Sequence, residues 1–344
     1  SGSANTARTV SLRTRSMLSI DICSSGTEMS PPELYSGSRF RSAVLHFLLG
    51  RATQAIAYFA LTLWLVRLLR PADYGAYMTL WGMVEMMVPL SSLGMLEAVR
   101  RFLPDLAVRG APGAMARFVR YMTAIRLTLM IAWAGAIYAF WPLLSSWMGF
   151  NEEQQQAGIL GVALVISVIG FRYASEMLEC LLEQRWSQLT HALMPLGRLL
   201  GVALLTLSSG VTLQRILWID LAVSATCFLL AEFFLVRRIR RSASAGDYCA
   251  NWREVGTFAW HMAIVNLLQA AASAGALRII VARTLGLEAA GMFAFLQQLL
   301  TSVGRYLPAN LLASLIRPML IARHQAGEDR VVSRGVALLW KVNM

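Results

Sequence analysis

The sequence has little charge and almost no lysine. Charged residues make up 15% of the 344 positions, whereas soluble domains carry about 25%. Lys341 is the single lysine, so arginine supplies nearly all of the 31 basic residues and of the formal net charge of +12. Hydrophobic residues reach 57% and the mean hydropathy is +0.55. This composition excludes an ordinary soluble protein, and it favours a membrane over nucleic acid as the surroundings of the positive charge.

Residues and motifs that mark metal, disulfide or catalytic sites are also scarce. The four cysteines form no CxxC pair, and the four histidines are isolated from one another. The sequence contains no P-loop, HExxH or nucleophile-elbow motif. We therefore expect no cofactor and no metal site, and we predict that the protein is not an enzyme.

The first 39 residues differ from the rest of the chain. They are rich in Ser, Thr and Arg and contain no long apolar run, so they lack the hydrophobic core of a secretory signal. Residues 7–16 are rich in Arg and free of acids, which faintly resembles an organellar transit peptide. The interpretation we favour is a disordered or non-native tail over 1–39, with Met17 or Met29 as an alternative true start.

Long apolar segments fill the remaining sequence. A membrane-spanning helix needs about 20 mostly apolar residues. The sequence contains eight complete segments of this kind and the start of a ninth near Val331. The eight complete segments are 42–66, 75–99, 118–142, 157–180, 188–209, 213–236, 257–282 and 289–316. The longest linkers, 100–117 and 237–256, are too short for a separate domain. The sequence therefore predicts an all-α, polytopic membrane protein.

Arginine is distributed unevenly over the segments that connect these spans. With the N-terminus in the cytosol, seventeen arginines fall on the cytosolic side and four on the other side, at Arg67, Arg70, Arg215 and Arg283. Because basic residues accumulate on the cytosolic side of membranes, we predict a multi-pass protein of the cell (inner or plasma) membrane with a cytosolic N-terminus. Topology then explains most of the positive charge, and no nucleic-acid partner is expected.

A shift of 216 residues aligns the first two predicted spans with the seventh and eighth without a gap. The informative identities are Arg67/Arg283, Gly75/Gly291 and Arg101/Arg317. The two glycines suit a tight turn between helices, and chance similarity between apolar helices is the alternative explanation. An interval of six helices leaves both copies in the same orientation, as in parallel-repeat transporters. We predict a complete six-helix lobe at 40–242 and an incomplete second lobe at 243–344.

Two segments resemble a known transporter family. They are VRLLRPADYGAY at 66–77, which follows a first helix opening with FLLGR at 47–51, and SSLGMLEAVRRFLP at 91–104. Over about residues 40–320, the chain resembles the polysaccharide biosynthesis proteins. These are the O-antigen-type oligosaccharide flippases of the multidrug/oligosaccharidyl-lipid/polysaccharide exporter superfamily. Arg70 departs from the family, which more often has Gly before the Pro.

The resemblance implies a function and a set of partners. Members of this family have two six-helix lobes and move an undecaprenyl-diphosphate-linked oligosaccharide from the cytosolic to the outer leaflet by alternating access. The expected partners are this lipid-linked oligosaccharide, membrane lipids and other polysaccharide-assembly membrane proteins. The chain ends before a second lobe of that size would be complete, so the resemblance also implies a fragment.

Several arginines fall deep inside the predicted spans. An arginine at a helix centre costs about 2.5–3.5 kcal/mol to insert, so it should face a partner or a water-filled cavity. Arginine binds a diphosphate through paired hydrogen bonds and keeps its charge, while amide and hydroxyl groups suit a sugar. At 100° per residue, Gln54 and Tyr58 share the face of Arg51. We predict as substrate-binding residues Arg51, Gln54, Tyr58, Arg172, Arg198 and Arg305.

Two other interpretations remain open from the sequence. The deep charges also fit internal ion pairs that fix helix packing, with Arg172 four residues before Glu176 and Glu85 as an alternative partner for Arg51. The function could instead be that of a cation-coupled drug exporter of the same superfamily, in which acids would dominate the deep charges. A membrane glycosyltransferase, ligase or polymerase is a third class, although the outer loops are short for one.

Overall fold

The computed structural model describes residues 37–108, 112–181, 183–207, 210–241 and 251–305, and the regular structure within these ranges is entirely helical. This confirms the predicted all-α class. The described helices are α1 (Gly37–Leu68), α2 (Pro71–Ser92), α3 (Met95–Val108), α4 (Pro112–Ala139), α5 (Trp141–Trp147), α6 (Glu152–Cys180), α7 (Gln184–Leu207), α8 (Leu213–Arg241), α9 (Trp252–Ala271), α10 (Ala274–Leu285) and α11 (Leu287–Arg305). The predicted tail before Gly37 and the predicted ninth span lie outside the described residues.

Five helical stretches are long and apolar enough to cross a membrane. They lie in α4, α6, α7, α8 and the combined α9–α10 stretch at Trp252–Leu285, and a sixth results if α2 and the start of α3 form one bent span. The apolar part of α1, Ala52–Leu68, is shorter. The eight predicted segments thus correspond in position to helices of the structure, and the described helices indicate a multi-pass membrane protein.

The second predicted span, 75–99, is broken. α2 ends at Ser92, Leu93 and Gly94 have φ angles of 41° and 74°, and α3 continues at an angle of 59° to α2. A side chain on Gly94 would collide with the carbonyl oxygen of Ala259 in α9, so close helix packing and a left-handed backbone both require glycine there. The prediction of a linker at 100–117 is wrong over most of its length, because α3 extends to Val108 and α4 begins at Pro112.

The seventh predicted span, 257–282, is also interrupted. α9 ends at Ala271, and the Ser273 hydroxyl accepts a hydrogen bond from the Ala276 backbone N–H at 3.1 Å to begin α10. Serine is a preferred residue at this capping position because its side chain satisfies a free N–H of the first turn. Two helices therefore replace the single predicted one.

The prediction that Gly75 and Gly291 form tight turns is wrong. Gly75 lies inside α2 and Gly291 inside α11. A Cβ atom on Gly75 would collide with the Leu287 carbonyl oxygen, and one on Gly291 would lie 3.2 Å from the Gly75 Cα. Both glycines therefore allow the α2 and α11 backbones to touch. Gly286, at φ 89°, is the glycine in the turn between α10 and α11.

Helix boundaries follow the 216-residue shift closely. α2 begins at Pro71 and α11 at Leu287, which is the same offset. The preceding helices, α1 and α10, end at Leu68 and Leu285, so their ends differ from the 216-residue shift by one residue. The division into lobes at 40–242 and 243–344 stays a prediction.

α6 occupies the centre of the packed helices. It packs against α2, α3, α4, α7 and α8, and most of its span is buried. A capping box begins it, in which Asn151 accepts from the Gln154 N–H at 2.8 Å and the Gln154 side chain accepts from the Asn151 N–H at 3.2 Å. Gln154 also donates to Asp73 of α2 at 3.1 Å, so the same cap joins the starts of α2 and α6.

Candidate functional site

A cleft lies between α1, α2, α6, α7, α10 and α11. Its empty space, including the open mouth, is about 740 Å³. Four of the predicted substrate-binding residues line it, namely Gln54, Tyr58, Arg172 and Arg198. Arg51 belongs to α1 and Arg305 is the last residue of α11, but their side chains lie outside the described part of the structure.

Aromatic residues of α2 form one wall of the cleft. Tyr74, Tyr77 and Trp81 line it together, because spacings of three and four residues place them on the same helix face. The rings of Tyr77 and Trp81 are 6.5 Å apart between centroids. We did not predict this wall, although the spacing of the three aromatic residues is visible in the sequence.

Arg198 forms a buried ion pair with Asp220. The Arg198 Nε lies 3.3 Å from the Asp220 Oδ1, and the two side chains are 2% and 1% exposed. The other carboxylate oxygen accepts hydrogen bonds from the Tyr77 hydroxyl at 2.8 Å and from the Trp81 indole N–H at 3.0 Å. The Trp81 ring centroid is 4.2 Å from the guanidinium. Arg198 therefore supports the aromatic wall, and Asp220 compensates its charge.

Arg278 is a buried cation of the cleft that was not predicted from the sequence. Its Nη1 lies 3.2 Å from the Glu85 Oε2, and its Nε donates to the Gln297 Oε1 at 2.7 Å. Glu85 thus pairs with Arg278, and the suggested pairing of Glu85 with Arg51 involves a side chain outside the described part of the structure. Arg278 lies in α10, opposite α2. The sequence predicted one unbroken span over 257–282, and this prediction did not indicate that Arg278 faces α2.

Arg172 is exposed and pairs with no acid among the described residues. Its predicted partner Glu176 is bound by Arg100 of α3, with contacts of 2.7 Å and 3.0 Å to the two carboxylate oxygens. Arg100 also contacts Glu97 at 2.7 Å. The predicted Arg172–Glu176 pair is therefore wrong, because the two-pronged geometry of Arg100 occupies both oxygens of Glu176.

The charges along the cleft leave one cation without an acid. Of its three lining arginines, Arg198 pairs with Asp220 and Arg278 with Glu85, so Arg172 is the uncompensated one within the described lining. The buried Tyr74 hydroxyl and the Arg198 Nη2 have no hydrogen-bond partner there. The cleft therefore offers a free positive charge and unused polar atoms to a ligand that carries an anion and hydrogen-bonding groups.

Comparison of the chain with known protein families, with curated proteins and with solved structures finds no match. The resemblance in 66–77 and 91–104 therefore stays a prediction. Within the described ranges, no group of three or more His, Cys, Asp and Glu side chains is placed to hold a metal ion. The cleft itself is consequently the basis for any statement about function.

A third buried arginine lies away from the residues that line the cleft. Arg126 of α4 is 3% exposed, and its Nε and Nη1 have no hydrogen-bond partner in the described structure. Its guanidinium lies 5.4 Å from the centroid of the Tyr173 ring. Arg126 was not among the predicted site residues, although its position in the middle of a predicted span was a usable signal.

Proposed function

We propose that the protein is a membrane transporter that flips a polyprenyl-diphosphate-linked oligosaccharide from the cytosolic to the outer leaflet by alternating access. The observation that carries the proposal is the uncompensated Arg172 in a cleft whose wall bears Tyr74, Tyr77 and Trp81. A diphosphate requires a permanent cation with directed hydrogen bonds, which arginine supplies. The aromatic and polar groups provide stacking surfaces and hydrogen bonds for sugars.

The contact between Gly75 and Gly291 supports a two-lobe transporter. These glycines are equivalent under the 216-residue shift, and each lies against the other's helix backbone. A residue meets its own repeat equivalent only near the axis that relates the two copies. The contact therefore agrees with a parallel repeat whose axis lies along the membrane normal.

The positions of the helix ends support an inward-open arrangement. α2 and α11 touch near their first turns, beside the α1–α2 and α10–α11 connections. With the N-terminus in the cytosol, as the arginine distribution predicts, these connections lie on the outer side. The α2–α11 contact then lies toward the outer side of the cleft, and the exposed Arg172, in the last third of α6, lies toward the cytosolic side.

The charge pairing in the cleft disfavours a drug exporter. A cationic drug needs a free carboxylate, but Glu85, which is the acid in the described lining, is bound by Arg278. The same pairing removes the acid that a glycosyltransferase would use as a base. An anionic, sugar-bearing lipid agrees better with the remaining charge.

A binding experiment tests the proposal. The purified full-length protein should bind a polyprenyl-diphosphate oligosaccharide, and Arg172→Gln should weaken binding by about 10- to 100-fold, because a hydrogen bond to a charged group contributes about 1.5–3 kcal/mol. Arg120→Gln, which removes an exposed charge from α4, should leave the affinity unchanged. Binding of cationic dyes without binding of the diphosphate, or transfer of sugar in vitro, would contradict the proposal.

A further inference from the structure

An exposed apolar stripe on α7 ends in an arginine. Leu189, Leu193 and Leu200 are 51%, 38% and 62% exposed. The exposed Arg185 lies on the same stripe, one turn before Leu189 at the start of the helix. Residues four apart differ by only about 40° around a helix, so the arginine lies in line with the leucines.

α8 carries a matching stripe that also ends in arginine. Leu229 and Phe233 are 66% and 58% exposed, and Arg240 continues their face seven residues after Phe233, with Arg237 beside it. Both arginines are exposed. The apolar part of each stripe is suited to contact with lipid chains, and each charged end lies at a helix terminus.

The two stripes flank one seam, with their arginines at the same end. The start of α7 meets the end of α8 where the rings of Trp186 and Phe234 stack at 4.0 Å between centroids. Arg238 and Glu183 form an ion pair of 3.1 Å at this end. Farther along the seam, Gly201 packs against Ile219, so α7 and α8 run antiparallel in contact.

The three arginines at this end have no acid to neutralise them. Arg185, Arg237 and Arg240 form no ion pair with any residue that the structure describes, and Arg185 lies over the Trp186 ring at 5.1 Å. Tryptophan is enriched where membrane helices meet the headgroup region. Positive charge and an aromatic ring of the kind found at membrane interfaces are therefore next to the two exposed apolar stripes.

We propose that the α7–α8 seam is a binding site for an anionic phospholipid. The phosphate lies among Arg185, Arg237 and Arg240, and an acyl chain lies along Leu189 and Phe233. Each basic residue near the membrane surface contributes about 1 kcal/mol to attraction for anionic lipid. The exposed apolar stripes of α7 and α8 distinguish a phospholipid from a soluble phosphate, because a soluble phosphate has no acyl chain to contact the leucines.

The test compares lipid binding by purified full-length variants using native mass spectrometry. Wild type should retain phosphatidylglycerol in preference to phosphatidylcholine, and Arg185→Gln/Arg237→Gln should reduce this preference by about tenfold or more. The matched control is Arg67→Gln/Arg283→Gln, which removes two exposed arginines. Arg67 is far from the arginine end of α7. Gln188 of α7 packs against Gly50 of α1, and Arg67 lies about 25 Å farther along α1 than this contact. The control should keep the preference.

Three outcomes would overturn the proposal. Equal retention of the two lipids by wild type would show that no anionic site exists. An equal loss in both double variants would show a general effect of net charge. Glycerol phosphate has no acyl chain. If its binding depends on Arg185 and Arg237 as strongly as lipid binding does, the apolar stripes play no part. All substituted side chains are exposed, so size-exclusion profiles should remain those of wild type.

Discussion

The described arginines within the predicted spans include three kinds of surroundings. Arg198 and Arg278 are each compensated by an acid, Arg126 is buried without an acid in the described structure, and Arg172 is exposed in the cleft. The sequence located Arg172 and Arg198 in spans but did not reveal that Arg198 is paired with an acid and Arg172 is not. An arginine inside a span pairs with an acid on a neighbouring helix at the same depth in the membrane. The geometry of a single helix does not show which residues of its neighbours lie at that depth.

Substitution of Arg198 should destabilise the protein strongly. Arg198→Met leaves the Asp220 carboxylate buried without its cation, and breaking a buried pair costs about 3–5 kcal/mol. The double variant Arg198→Met/Asp220→Leu should lose less stability than Arg198→Met alone, because no buried charge remains. Thermal unfolding of the purified protein in detergent measures both changes, and a double variant no more stable than Arg198→Met would contradict the ion pair.

Substitution of Arg126 should have the opposite effect. Its burial without an acid costs free energy that an apolar side chain of similar length does not incur, so Arg126→Met should raise the midpoint of thermal unfolding. Arg120→Met, on the exposed face of the same helix, should change the midpoint little. A clear fall in the midpoint for Arg126→Met would show that Arg126 has a partner that the structure does not describe.

At the scale of the element, helix positions were predictable and helix breaks were not. The length of a membrane span limits where an apolar helix begins and ends, so segments such as 157–180 and 213–236 match α6 and α8 well. The break at Leu93–Gly94 arises because α9 packs against Gly94. This contact joins residues far apart in the chain, and local periodicity cannot reveal it.

Close packing of α2 against α11 depends on Gly75. Gly75→Ala places a Cβ atom against the Leu287 carbonyl oxygen, and such overpacking costs about 1–3 kcal/mol. Gly135→Ala is a matched control inside α4, where a Cβ meets no atom within 4 Å; it should be neutral or stabilising by up to about 1 kcal/mol. Thermal unfolding compares the two variants, and equal behaviour would contradict the backbone contact.

At the scale of the whole molecule, composition and hydropathy predicted an all-α membrane protein, which the described helices support. The two-lobe arrangement and the transport function remain predictions. The cleft brings together residues of α1, α6 and α7 that the sequence had proposed separately, including Gln54, Arg172 and Arg198. Arg278 and the aromatic wall were not foreseen, because their position depends on how α2, α7 and α10 pack around the cleft.

Flipping of a lipid-linked oligosaccharide by reconstituted full-length protein tests the central claim most directly. Proteoliposomes containing wild type should move a fluorescent polyprenyl-diphosphate oligosaccharide between leaflets. Arg172→Gln should slow this transfer by at least about tenfold, while Arg120→Gln should match wild type. Transfer by Arg172→Gln at the wild-type rate, or none by wild type above that of protein-free vesicles, would contradict the account.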